Sequence, residues 1–177
     1  MRNLLGSLTT LNQFASRGAL EMLSTALDPA DVVRDAETVA RMDLNYRERK
    51  LVVSIGPKLP NIIGDRQKLV QVLVNLLTNA LQATDAGQTI RVEARPGGGD
   101  TIVFAVEDEG TGVPEALARK VFDPCFSTKG DQGMGMGLYM ARLVAESHGG
   151  TLRLVAPEQF KRGSRFELVV PAAPRLH

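Results

Sequence analysis

The sequence is poor in the residues that anchor metals, cross-link chains or stack on bases. Its single cysteine, Cys125, excludes an internal disulfide and a multi-cysteine metal site. Two histidines, His148 and His177, leave little scope for a histidine-ligated metal. Tryptophan is absent, aromatics make up 5%, and the formal net charge is +1, so no base-stacking surface or polyanion-binding field is expected. Nucleic acid is therefore not an expected partner. No apolar run approaches the roughly 20 residues that span a bilayer, and the leucine-spaced start is broken by Gly6 and polar residues, unlike a signal peptide. The segment reads as soluble and cytoplasmic, with no membrane contact. It contains no internal repeat and no low-complexity tract.

What is present fits an ordinary globular chain: 177 residues, 44% hydrophobic and 23% charged, enough for one domain with a short appendage. Leu4, Leu8, Leu11, Ala15 and Met22 recur with helical spacing. Asp28-Pro29 supplies an N-cap and a first helical residue, with Val32, Val33, Ala36, Val39 and Ala40 on one face. Residues 65–84 give the clearest helix. Leu69, Val72, Leu73, Leu76, Leu77, Ala80 and Leu81 share one arc, and Gln71, Asn75, Thr78, Asn79 and Gln82 lie opposite. Residues 51–55, 89–94, 101–106, 151–155 and 165–170 read as strands, the second and third forming a hairpin. A short helix at 115–121 and a longer one at 137–148 complete the pattern. The order implies a two-layer α/β sandwich with a mainly antiparallel sheet, not a doubly wound parallel one.

Four short motifs carry the chemistry. In residues 71–84 (QVLVNLLTNALQAT), Asn75 and Asn79 project from one helical face. A carboxamide oxygen suits Mg²⁺ that also shares phosphate oxygens, although two solvated asparagines would look the same. In residues 108–112 (DEGTG), Asp108 follows directly on a strand, and a carboxylate at a strand's end can, if buried, accept an exocyclic amine such as that of adenine. The glycines there would let a ligand approach the backbone; the plain alternative is a turn whose Asp caps itself. Residues 121–129 (VFDPCFSTK) end on Lys129, a cation within reach of a terminal phosphate or simply a surface lysine. Residues 133–138 (GMGMGL) set Gly133, Gly135 and Gly137 before a helix N-terminus, a geometry open to phosphate. The spacing matches neither the Rossmann nor the P-loop pattern.

In this order and spacing the four motifs resemble the N, G1, F and G2 boxes of the ATP-binding catalytic domain of bacterial sensor histidine kinases. That domain shares a superfamily with gyrase B, Hsp90 and MutL. The resemblance covers about residues 28–170 and is nearest to the nitrogen-regulation branch, which has a Pro-Phe-Phe-Thr-Thr-Lys-like run before a short lid. It implies a Bergerat-type fold, ATP and Mg²⁺ as ligands, and transfer of the γ-phosphoryl group to a histidine on a dimerisation domain, with a response regulator downstream. Residue by residue, it implies that Asn79 ligates Mg²⁺ and that Asn75 lies beside the phosphates. Asp108 would read the adenine amine, with Gly110 and Gly112 shaping that end. Phe122 and Phe126 would anchor the lid, and Lys129 would meet the terminal phosphate. Gly133, Gly135 and Gly137 would wrap the triphosphate, and Leu138 would wall it.

The ATPases of the superfamily carry a glutamate where this chain has Asn75. An amide is no general base, so phosphoryl transfer to a better nucleophile fits better than hydrolysis. A gyrase-like ATPase switch and a degenerate pocket serving as an interaction module are the alternatives. Neither histidine suits the acceptor: His148 reads as a structural helix-end residue and His177 as terminal. Residues 1–27 are expected to be a remnant of the helical dimerisation hairpin and linker, and 28–177 the catalytic domain. The acceptor is then missing or supplied by a partner. Cys125 stands where the nearest branch has an aromatic, and is expected to be a small buried hydrophobe.

Overall fold

A computed structural model of the chain describes residues 23–126, 135–155 and 162–174. The helix expected within residues 4–22, Lys129, Gly133 and His177 lie outside them. The first described helix, α1 (Pro29–Arg41), begins as its sequence requires, with the Asp28 carboxylate accepting from the Ala30 amide at 2.8 Å. Val32, Val33, Ala36 and Ala40 are buried. Val39 falls at the edge of that arc and turns to solvent, 44% exposed, against expectation.

Helix α2 (Arg66–Ala83) is capped by Asp65, whose side chain accepts from the Lys68 amide at 3.1 Å. All seven residues of its apolar arc are buried, which leaves the asparagine face directed away from the core. Burial on this scale stabilises by about 1.5–3 kcal/mol per large side chain. The helix is closed by the Thr84 hydroxyl, which donates back to the Ala80 carbonyl at 2.9 Å.

The main sheet has five strands: β2 (Lys50–Ile55), β4 (Thr89–Pro96), β5 (Thr101–Asp108), β6 (Thr151–Leu154) and β7 (Arg165–Pro171). Their order is β2-β4-β5-β7-β6, with β2 parallel to β4 and every other pair antiparallel. The β4–β5 hairpin is longer than the expected 89–94 and 101–106, pairing Ile90 with Asp108 at one end and Pro96 with Ile102 at the other. Asp108 is therefore held by the sheet as the last residue of β5. A second sheet, β1 (Thr25–Leu27) antiparallel to β3 (Ile62–Gly64), was not expected. Strands of three residues carry too little alternation to stand out. The helix expected at 115–121 is instead two 3₁₀ turns, Glu115–Leu117 and Lys120–Phe122.

Helix α3 (Gly137–Ser147) packs against α2, and the helices cover one face of the sheet. At the far end of α3, His148 is buried and joins the two helices. Its Nδ1 donates to the Val144 carbonyl at 2.7 Å, and its Nε2 accepts from the Asp65 amide at 3.0 Å. These roles fix the neutral tautomer with hydrogen on Nδ1. The structural reading of His148 thus holds.

The opposite sheet face carries an Arg–Glu network centred on Glu167, 3% exposed. Arg153, Arg95 and Arg165 donate to its carboxylate at 2.6, 2.9 and 3.1 Å. Burial alone would push the Glu167 carboxyl up, but the hydrogen bonds from Arg153 and Arg165 prevail and hold it below its ordinary value.

Candidate functional site

Strand β5 delivers Asp108 to the end of the sheet, where it is 3% exposed. One carboxylate oxygen accepts from the Ser164 hydroxyl at 2.5 Å and the other from the Gly110 amide at 2.8 Å. The Asp108 amide donates to the Ser164 carbonyl at 2.9 Å. Burial raises the Asp108 pKa, and the bonds from Ser164 and Gly110 moderate the rise without cancelling it. Two donors do not exhaust a carboxylate's roughly four lone-pair sites, so capacity for another donor remains. Ser164 was missed by sequence reasoning. It lies just ahead of β7, opposite Asp108 where the antiparallel β5–β7 pairing ends, and no local signal in the sequence announces that pairing.

The glycines of this turn are packed tightly on neighbouring backbone. A side chain on Gly110 would collide with the Ala83 carbonyl at the end of α2. Gly112 has φ +73°, and a Cβ there would stand 2.7 Å from the Gly163 carbonyl. Gly163, at φ +85°, packs directly on the Asp108 carbonyl. Protein backbone occupies the space that a Cβ at these glycines would need. The packing also ties the turn to α2, since the Thr111 amide donates to the Ala83 carbonyl at 3.2 Å.

Asn79 lies one turn before Ala83, half-buried on the polar face, and Asn75 lies one turn earlier. The Gln71 side-chain amide donates to Asn75 Oδ1 at 3.0 Å, and Asn75 Nδ2 donates to the Gly137 carbonyl at 3.4 Å. Helix α2 thus meets the Asp108 turn at Ala83 and the start of α3 at Asn75, about 12 Å apart at 1.5 Å per residue. Among the described residues no side chain caps the α3 N-terminus, so its first amides remain available to an anion. Leu138 is half-buried against the core.

Phe122 is buried edge-on against Phe166, ring centroids 6.1 Å apart at 83°, and Phe126 packs partly buried on the same core. Gly135 has φ +63°, and a Cβ there would strike the backbone of Cys125 and Phe126. The two ends flanking residues 127–134 therefore touch. Cys125 is exposed rather than buried, with φ +61°, and its Sγ lies 4.0 Å from Met136 Sδ. That left-handed turn points the thiol outward, which corrects the expectation of a buried small hydrophobe.

Among the described residues no three His, Cys, Asp or Glu side chains gather as a metal cage. Asn75 and Asn79 carry neutral amides, whose oxygens fit a hard cation brought largely by its ligand's oxygens. None of the described helices is long and apolar enough to cross a membrane.

Comparison with known proteins agrees with this architecture. Residues 64–174 match the model of the histidine kinase-, DNA gyrase B-, and HSP90-like ATPase family. The sensor histidine kinase ZraS of Salmonella typhi is 32% identical over 85% of this chain and 32% of its own length. The sensor protein FixL of Bradyrhizobium diazoefficiens is 32% identical over 92% of this chain and 32% of its own. The chain therefore spans about a third of the length of these relatives. The solved structure of the mycobacterial sensor histidine kinase MprB superposes with a TM-score of 0.74 at 25% identity, covering 86% of this chain and all of that one. With the sheet order, the two-asparagine helix and the buried Asp108 turn, the match shows that this chain belongs to the histidine kinase-, DNA gyrase B- and HSP90-like ATPase family.

Proposed function

We propose that the chain binds Mg–ATP and donates its γ-phosphoryl group to a histidine on a dimerisation domain, as the catalytic part of a two-component sensor kinase. The observation that carries this reading is the α2 frame: a buried carboxylate at one end, an uncapped helix N-terminus at the other, and two carboxamides between them. Asp108, positioned by Ser164 and Gly110, accepts the adenine amine, and a base without that amine would leave a buried acceptor unmatched. Gly110 and Gly112 hold the turn. Asn79 offers its amide oxygen to Mg²⁺, and Asn75 lies beside the phosphates. Mg²⁺ would neutralise phosphate charge there. The α3 amides from Gly137 onward, with Gly135 before them, line the phosphate end, and Leu138 backs it. Phe122 and Phe126 hold the base of a lid. Lys129 and Gly133, outside the described residues, are assigned to the terminal phosphates on the resemblance alone.

Asn75 cannot take a proton from water, which favours transfer over hydrolysis. The names of ZraS and FixL support a sensor-kinase setting, with a response regulator as the next acceptor. We assign residues 1–27 to the end of the dimerisation hairpin and its linker, and 28–177 to the catalytic domain. The test is phosphotransfer: the chain, γ-labelled ATP and a histidine-bearing dimerisation domain are mixed with and without Mg²⁺. Acid-labile label on the histidine, dependent on Mg²⁺ and lost in Asn79→Ala, is expected. Steady phosphate release with no labelled histidine would refute transfer in favour of an ATPase.

A further inference from the structure

Gln71 opens the asparagine helix motif yet belongs to none of the roles assigned above. It is exposed on α2, one turn ahead of Asn75, and its Nε2 donates to Asn75 Oδ1 at 3.0 Å. Asn75 in turn donates from Nδ2 to the Gly137 carbonyl at 3.4 Å. An asparagine amide can turn over and exchange its oxygen for its nitrogen with little change in shape. The Gly137 carbonyl, which can only accept, sets the sense of the Asn75 amide, and the Gln71 amide, itself able to turn over, takes up the matching donor role. With Asn75 Nδ2 on the Gly137 carbonyl, Asn75 Oδ1 faces Gln71 and accepts from it, so the Gln71 bond holds the orientation that Gly137 selects. The second Asn75 N–H remains as a donor at the seam between α2 and α3.

We infer that Gln71 is a positioning residue. It fixes the Asn75 carboxamide as a hydrogen-bond donor toward the phosphate end of the nucleotide and the first residue of α3. The inference rests on the nucleotide reading above and extends it to a residue that touches neither base nor metal. A flipped Asn75 would set its oxygen against the Gly137 carbonyl and against phosphate oxygens, two acceptor–acceptor contacts. Holding the amide therefore matters more for a triphosphate than for a nucleotide with one phosphate. Because Gln71 is exposed and outside the apolar arc, its removal should leave the fold untouched.

The experiment is calorimetric titration of the chain with AMP and with a non-hydrolysable ATP analogue plus Mg²⁺. Wild type, Gln71→Met, Asn75→Ala and the double variant are compared. Methionine keeps the length and removes the donor without adding charge. Gln71→Met is expected to weaken the triphosphate analogue by roughly two- to twelvefold, the equivalent of one ordinary hydrogen bond, and to leave AMP unchanged. In the Asn75→Ala background the same change should have no further effect, because the group it orients is gone. Equal triphosphate affinity in wild type and Gln71→Met would overturn the inference, as would an equal loss with and without Asn75. A wild-type chain that binds neither nucleotide would refute the functional reading itself, and this inference with it.

Discussion

Asparagine in place of Asp108 separates the shape of this site from its charge. The substitution is isosteric, and the hydrogen bonds around it have room to adapt. The Gly110 amide can still donate to the side-chain oxygen, and the Ser164 hydroxyl can rotate to accept from the new NH₂ group. Burial raises the Asp108 pKa, so the folded state disfavours the ionised carboxylate. The folded value lies above the unfolded one, so this contribution weakens stability as pH rises through the interval between them. A neutral amide escapes that penalty, and thermal unfolding at pH 7 should show Asp108→Asn within about 1 kcal/mol of wild type, with any change toward greater stability. Binding should move the other way. An amide nitrogen facing the adenine amine replaces an acceptor with a donor, forfeiting a charge-assisted bond of about 1.5–3 kcal/mol, or roughly 10- to 150-fold in affinity. Titration with an ATP analogue and thermal unfolding on the same samples measure both. A stable Asp108→Asn chain that binds within about twofold of wild type would refute the assignment of Asp108 to the base.

Three further outcomes follow from the packing. Gly163→Ala forces a Cβ onto the Asp108 carbonyl at φ +85° and should cost about 2–5 kcal/mol in urea unfolding, with nucleotide affinity falling alongside. His148→Ala leaves the buried Asp65 amide without its acceptor and should lower stability by about 1–3 kcal/mol, read from the denaturation midpoint; an unchanged midpoint would show that the α2–α3 clasp contributes nothing. The Glu167 carboxyl is held below its ordinary value, so its stabilisation is complete above that ordinary value and is lost as pH falls through the folded one. Glu167→Gln should therefore be less stable than wild type at pH 7 by about 1.5–3 kcal/mol, with the gap closing as pH falls through the lowered folded value of Glu167 in a pH series of unfolding curves.

The sequence made the α2 helix legible because six of the seven residues of its apolar arc are Leu or Val at the 3.6 period, and all seven are buried. The hairpin and its Gly-rich turn were legible for the same kind of reason, a period of two bounded by turn residues. What escaped detection depended on contacts between distant segments. Nothing local in Ile62–Gly64 announces a partner in Thr25–Leu27. Nothing local in Ser164 announces Asp108, 56 residues away in the chain. Gly110 and Gly112 stood out in the sequence, but their tight neighbours Ala83 and Gly163 did not. Cys125 was misjudged because burial statistics for cysteine ignore a backbone turn with positive φ.

The central claim is that one nucleotide lies along α2 from Asp108 to Gly137. The structure of the chain crystallised with a non-hydrolysable ATP analogue and Mg²⁺ tests it most directly. The account predicts the adenine amine on the Asp108 carboxylate, Mg²⁺ on the Asn79 oxygen and phosphates against the first amides of α3. A nucleotide bound elsewhere, or one whose base lies away from Asp108, would contradict it.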